Sequence, residues 1–340
     1  MQIPSLHGKM NSELMTMKKI LIVFTGGTIS MTNDDQTSKS VISNNESDLI
    51  SKIGKRFHNF TLIPHLYSMK PSPSITPTDM LQIGQLIDSY LSDDEFVGAV
   101  VTHGTDTLEE TAYFLDLFVQ TKKPVVVTGS MRNFSELGYD GFSNLLSAIL
   151  VATSPNSYNR GCLVVLNDEI NSAIEVTKTH TLSLDTFKSM EFGPLGIVDE
   201  QDVTYYRDSA KKKYHLTPHQ LTANVEIVKV VTGQNGDLID FFTDSKKVQG
   251  IILEAFGRGN VPPPMVPSIK RALDQGIKVV ITSRCPKGRV RDTYGYEGGG
   301  YHLKQLGVLF AGDLSSQKAR LKLILALSQA NTKVEKYFEF

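Results

Sequence analysis

Phe24–Thr28 reads FTGGT, and the same form returns twice downstream, as VTHGT at Val101–Thr105 and VTGS at Val127–Ser130. In each case an apolar run ends in threonine, and a glycine and then a hydroxyl residue follow. The runs are Ile20–Phe24, Val97–Val101 and Pro124–Val127, with Cys162–Leu166 as a fourth. Between them, 107–118 and 141–151 have helical spacing. Short β-branched runs alternating with helical stretches predict parallel strands joined by crossover helices. The carboxyl ends of such strands lie along one edge of the sheet, where ligands bind. The reading therefore puts Thr28, Thr105 and Ser130 on a common rim, with Asp106 beside Thr105.

Outward from these motifs, Pro71, Pro73 and Pro77 mark a loop before a helix over 77–91, with Thr76 as N-cap and Pro77 at the first helical position. From Tyr206 to about Ala223 the pattern lapses, and Lys211, Lys212 and Lys213 read as part of a solvated linker. A second alternation follows, with strands at 225–231, 248–253 and 277–282 and helices at 264–275 and 317–327. The expected fold is a two-domain α/β protein: a tail over 1–17, a larger N-terminal domain with a mostly parallel sheet and flanking helices over 18–207, a linker over 208–224, and a smaller C-terminal α/β domain over 225–340.

A chain of 340 residues suits about two domains. Its net charge of −1 makes no electrostatic case for nucleic acid or an anionic membrane as partner. The apolar runs are far shorter than the ~20 residues a bilayer requires, and the polar first seventeen residues lack the apolar stretch of a secretory signal. Two cysteines, Cys162 and Cys285, build neither a disulfide framework nor a four-thiolate metal site, which points to a reducing, cytoplasmic setting.

A threonine hydroxyl is a poor nucleophile until a base takes its proton. Lys178, in VTKTHT (176–181), is the best candidate base: a lysine wedged among β-branched residues is one whose pKa falls. A carboxylate such as Asp106 binds an ammonium group, and N–H groups of a glycine turn hold an oxyanion. Together they suit nucleophilic acyl transfer on a small zwitterionic amide. Singly, each has a plainer reading. Gly26–Gly27 is a strand-to-helix turn, Asp106 a helix cap, Lys178 a surface lysine. Neither a dinucleotide fingerprint nor a Walker sequence follows Gly27. His215 and His219 are four apart, but Pro218 and the missing intervening Glu spoil a zinc-site reading. His103 reads as support for its turn.

TGGTIS (25–30), THGTDTLEETAYFLDL (102–117), VTGSMR (127–132), VTKTHT and GDLSSQKARLKL (312–323) resemble the bacterial-type L-asparaginase (asparaginase/glutaminase) family. The resemblance runs from about Lys18 to the last helix. It implies hydrolysis of L-asparagine to L-aspartate and ammonia, with weaker action on glutamine and no cofactor or metal. Thr28 resembles the nucleophile that forms the acyl-enzyme. Thr105, Asp106 and Lys178 resemble the group that moves protons and activates water. Ser72 aligns with a serine that holds the substrate α-carboxylate, Asp106 with the residue that binds its α-ammonium, and Ser130 with a position whose carbonyl contacts the amide. The family is usually a homotetramer of intimate dimers, each site taking residues from the neighbouring C-terminal domain; Arg258 and Glu297 lie near those positions.

Two departures stand out. The family carries a tyrosine in the loop after its first motif, yet 30–51 holds none. Tyr294, Tyr296 or Tyr301 is expected to replace it, across the subunit interface. Pro73 stands where relatives have a side chain that contacts the substrate amino group, so that contact is lost. The polar stretch 31–47 suits a mobile lid. Two other functions share the motifs: a glutaminase subunit of a tRNA amidotransferase, which carries an extra N-terminal domain for which the short tail leaves no room, and a catalytically silent amino-acid-binding relative.

Overall fold

A computed structural model of the chain describes residues 17–33, 40–42, 46–209 and 214–338. The tail before residue 17, the middle of the 31–47 stretch and Lys211–Lys213 lie outside the described residues. Of the 31–47 stretch, Met31–Asn33 pairs antiparallel with Ser40–Ile42.

The first four expected strands form at Lys18–Phe24, Phe96–Thr102, Val125–Thr128 and Cys162–Leu166, side by side and parallel. Their residues alternate between two cores. Leu21, Val23, Ala99 and Val101 face one core, built with the helices Pro77–Leu91 and Leu108–Phe118. Ile20, Ile22, Val100 and Val126 face the other, built with Gly141–Thr153. Burial on both faces is why these strands read as unbroken apolar runs.

The sheet has eight strands. One that the reading missed, Phe60–Leu66, is the edge partner of Lys18–Phe24. It contains Pro64, which has no N–H to donate and so belongs on an edge. Beyond Cys162–Leu166 the sheet turns antiparallel through Glu169–Ser172, Gly196–Asp199 and Asp202–Tyr205. These strands are only four residues each, too short to stand out by periodicity.

The smaller sheet is parallel throughout, in the order Val225–Lys229, Gly250–Ala255, Lys278–Ser283 and Leu309–Phe310. The last long helix, Ser316–Ser328, is buried between this sheet and Leu108–Phe118, and Ala319, Leu321, Leu323, Ile324 and Leu325 join the core of the larger domain. Lys318 and Lys322 are buried in it too; the Lys322 ammonium lies 4.5 Å from the Tyr214 ring and 5.0 Å from that of Phe338. A helix enclosed by two domains has no solvent face, which explains its weak amphipathic pattern. The segment 214–224 between the sheets runs over the larger domain with Leu216 buried and its N–H on the Leu117 carbonyl.

Strand order sets the location of the site. From Lys18–Phe24 the chain places the next strand of this sheet, Phe60–Leu66, on one side and Phe96–Thr102 on the other. The carboxyl ends of Lys18–Phe24 and Phe96–Thr102 therefore flank a topological switch point, the crevice where open α/β sheets bind ligands.

Pro77–Leu91 begins with the expected cap. The Thr76 hydroxyl accepts the Asp79 N–H at 3.2 Å, and Asp79 Oδ2 accepts the Thr76 N–H at 2.8 Å. Asp79 also receives Lys70 Nζ at 2.7 Å and the Tyr67 hydroxyl at 3.0 Å. Burial by itself would raise the Asp79 carboxyl; the bonds from Lys70, Thr76 and Tyr67 overcome it and hold the group well below the usual carboxylate range. Because the folded pKa is depressed, this stabilisation is present above the unfolded carboxylate pKa and is lost as pH falls below it. Thr76→Ala removes the side-chain half of the reciprocal pair and is expected to cost about 1 kcal/mol in denaturant unfolding at neutral pH; an unchanged midpoint would show the cap to be idle.

Candidate active site

The first motif turns on two glycines in left-handed backbone, Gly26 at φ +101° and Gly27 at φ +87°. A Cβ on Gly27 would stand 2.4 Å from the Gly104 Cα and N, and one on Gly104 would stand 2.8 Å from the Ser72 Oγ. A Cβ on Gly129 would meet the His103 carbonyl at 2.3 Å. Four loops, at 25–28, 70–72, 103–105 and 129–130, are thus stacked backbone on backbone, with glycine wherever two chains touch. Threonines secure the stack: Thr25 Oγ1 donates to the Thr102 carbonyl at 2.8 Å, Lys70 N–H to the Thr25 carbonyl at 3.1 Å, and Thr107 Oγ1 to the Ser72 carbonyl at 2.9 Å.

On this platform Thr28 opens a short helical turn, Thr28–Ser30, half-buried. Ser72 and Thr105 are buried, at 4% and 6% exposure, while Asp106 faces solvent. Lys178 arrives from a two-residue strand, Thr177–Lys178, paired with Phe187–Lys188. Its Nζ donates to Thr105 Oγ1 at 2.9 Å and to Asp106 Oδ1 at 2.7 Å. The lysine is therefore no surface residue; its side chain is 17% exposed. Thr105, Asp106 and Lys178 form one bonded group, and Thr28 and Ser72 sit on the loops that pack against Gly104 between them.

Ser130 is placed differently from the others. Its side chain is fully buried and its Oγ donates to the Arg132 carbonyl at 2.7 Å, so the hydroxyl is spent inside its own turn. That turn is held by Asp140, whose two oxygens accept the N–H groups of Met131 and Arg132 at 3.0 Å each, and by Asn144, which donates to the Gly129 carbonyl at 2.9 Å. Arg258, Glu297, Tyr294, Tyr296 and Tyr301 are exposed on the C-terminal domain, with no hydrogen bond to the four loops among the described residues. His215 and His219 are exposed, and no group of three or more His, Cys, Asp or Glu able to hold a metal occurs among the described residues.

Several residues that shape the site escaped the sequence reading. Tyr139 donates its hydroxyl to the Ile29 carbonyl at 2.7 Å and so fixes the turn that carries Thr28. Glu109 accepts the Lys178 N–H at 2.7 Å. Asp140 was marked by nothing more than a position before a helix. Tyr139 and Glu109 carry no local signal, since each acts on a residue far away in sequence.

His103 supports its turn as expected. Its Nδ1 lies 2.8 Å from the Gly104 carbonyl and its Nε2 2.8 Å from Thr111 Oγ1. A carbonyl has no proton, so Nδ1 carries the hydrogen and Nε2 accepts from Thr111. Burial pushes the imidazole down to about 4 from an ordinary value of 6.5.

Comparisons with known proteins point to one family over the whole of both domains. The model described as "Asparaginase, N-terminal" matches residues 19–211, and the "Glutaminase/Asparaginase C-terminal domain" matches residues 224–338. An L-asparaginase of Bacillus licheniformis is 39% identical over 313 residues, which span 92% of this chain and 96% of that protein. A glutaminase-asparaginase of Acinetobacter glutaminasificans is 33% identical, spanning 92% and 96%. Among solved structures, a probable cytoplasmic L-asparaginase from Campylobacter jejuni superposes with a TM-score of 0.85 at 30% identity, covering 94% of this chain and 99% of that one.

The buried neutral His103 has a pH consequence. An unfolded chain takes up a proton at this residue as pH falls through about 6.5, and the folded one resists until about 4. Its contribution to stability is therefore present above 6.5 and lost as pH falls towards 4. Denaturant midpoints are expected to drop between pH 7 and pH 4.5, and to drop less in His103→Gln; equal slopes in both proteins would contradict the assignment.

Proposed function

We infer, from a chain that belongs to the asparaginase family, that it hydrolyses the side-chain amide of L-asparagine to L-aspartate and ammonia through a threonine acyl-enzyme. The observation that carries this reading is the bonded group of Lys178, Thr105 and Asp106 beside the glycine-stacked loop of Thr28. A silent binding relative has no use for a lysine withdrawn from solvent onto a threonine hydroxyl.

Thr28 Oγ attacks the amide carbon, and its hydroxyl proton is the one that reaches the leaving nitrogen. The tetrahedral intermediate collapses with transfer of a proton to the leaving nitrogen, and ammonia departs from an aspartyl ester on Thr28. Water then attacks the ester and gives up its proton to the Thr105–Lys178–Asp106 group, which returns it to Thr28 Oγ as aspartate and the Thr28 hydroxyl are freed. Within that group the Lys178 ammonium bonds both Thr105 Oγ1 and the Asp106 carboxylate, so Thr105 and Lys178 relay the proton while Asp106 stays charged. Ser72 binds the substrate α-carboxylate and Asp106 its α-ammonium. Ser130, its hydroxyl already committed, contributes its main-chain carbonyl to the amide.

Glutamine is a weaker substrate in this reading, in keeping with relatives named for both amides. The enzyme works without cofactor or metal, as a cytoplasmic homotetramer of intimate dimers. The exposed Tyr294, Tyr296 and Tyr301 with Arg258 and Glu297 form the face presented to the neighbouring subunit's site. One of those tyrosines supplies the hydroxyl that the loop after Thr28 lacks.

Ammonia release from asparagine and glutamine tests the proposal. Wild type is expected to turn over asparagine faster than glutamine. Thr28→Ala and Lys178→Met are each expected to lower kcat about 10³-fold or more, the scale on which loss of a nucleophile or its proton partner acts. No release from wild type, or a Thr28→Ala enzyme within tenfold of it, would overturn the reading.

A further inference from the structure

Three consecutive residues at the start of the last helix point in different directions, one to its own domain and two to the other. Ser316 Oγ donates to Glu254 Oε2 at 2.6 Å and so fastens the helix to the C-terminal sheet. Gln317 Nε2 donates to Glu109 Oε1 at 2.6 Å. Lys318, 2% exposed, sends its ammonium to the carbonyls of Ile174 and Val176, the former at 3.3 Å. The last two contacts converge on one place. Glu109, 5% exposed, uses its other oxygen, Oε2, to accept the main-chain N–H of Lys178 at 2.7 Å. The backbone that carries Lys178 is thus gripped at the 174 and 176 carbonyls and at the 178 amide, with the C-terminal domain behind both holds.

We propose that Gln317 is a positioning residue for Lys178, acting through Glu109: the C-terminal domain orients the carboxylate that sets the backbone of the lysine serving Thr105. This rests on the asparaginase reading above. The physical reason is geometric. Thr177–Lys178 is only two residues long, lies outside the main sheet and pairs with Phe187–Lys188 alone, so the ladder that holds it is short. A buried carboxylate with one oxygen released reorients, and a proton-transfer partner moved by about 1 Å loses up to two orders of magnitude in rate. Neither Gln317 nor Glu109 bonds to Ser72 or to Asp106, so KM is expected to move less than kcat.

Gln317→Glu sets two carboxylates against each other, and Glu109→Gln added to it restores a donor opposite an acceptor while keeping an oxygen for the Lys178 amide. Gln317→Glu is expected to lower kcat for asparagine about tenfold or more with KM within about twofold. The double variant Glu109→Gln/Gln317→Glu is expected to return to within about threefold of wild type. Should Gln317→Glu fail to fold, Gln317→Met, which keeps the volume and removes the donor, carries the same expectation for kcat and KM. Amide hydrogen exchange at the peptide containing Lys178 supplies a readout that needs no activity: it is expected to quicken in Gln317→Met while peptides of the large sheet exchange as in wild type. An active wild type beside a single variant whose kcat stays within twofold, a loss that the double variant fails to recover, or unchanged exchange at Lys178 would overturn the proposal. An inactive wild type with faster exchange at Lys178 would overturn the asparaginase reading and leave the positioning contact standing.

Discussion

Everything at the candidate site depends on one close contact, the backbone of Gly27 laid against that of Gly104. No other residue fits there: a methyl group on Gly27 would overlap Gly104 at 2.4 Å, and Gly27 holds a left-handed φ of +87°. The contact joins two loops that follow neighbouring parallel strands, at the point where the sheet's strand order changes direction. Because both glycines sit one residue before a threonine, the same contact brings the starts of Thr28 and Thr105 together. A strand-end hydroxyl is ordinary; two of them held on touching turns, one bonded to a sequestered lysine, have a chemical use.

The second domain is more than an appendage. Its last helix is enclosed between the small sheet and the helix that follows Thr105, and its apolar residues complete the core of the larger domain. The buried ammonium of Lys318 caps the carbonyls of Ile174 and Val176, and Gln317 reaches Glu109. Buried polar groups of this kind are costly unless each is paired, so they define a single docking geometry between the domains. The segment that bears Lys178 lies in that joint.

Much of this was readable in the residues themselves. Runs such as ILIVF at Ile20–Phe24 are apolar at every position because the sheet is covered on both faces, and the glycines after them, expected in tight turns, also sit where loop packs on loop at Gly27, Gly104 and Gly129. Thr76–Pro77 announced its helix through local capping chemistry. What stayed hidden is non-local. Glu109 and Gln317 are 208 residues apart, and nothing near either names the other. Phe60–Leu66 is interrupted by Pro64 and shows no run. Tyr139 reaches Ile29 across 110 positions, and the antiparallel strands after Cys162–Leu166 are too brief for a period to emerge. Local rules reached the loops of the candidate site; the contacts that hold them in place are properties of the folded chain.

The central claim is that Thr28 takes the acyl group and the Lys178 group releases it. Mass spectrometry of Lys178→Met mixed with asparagine and quenched with acid tests this most directly, since slowed release should let the covalent species accumulate. The account predicts an aspartyl adduct on the peptide containing Thr28. An adduct on Thr105 or on any other residue, with Thr28 unmodified, would contradict it.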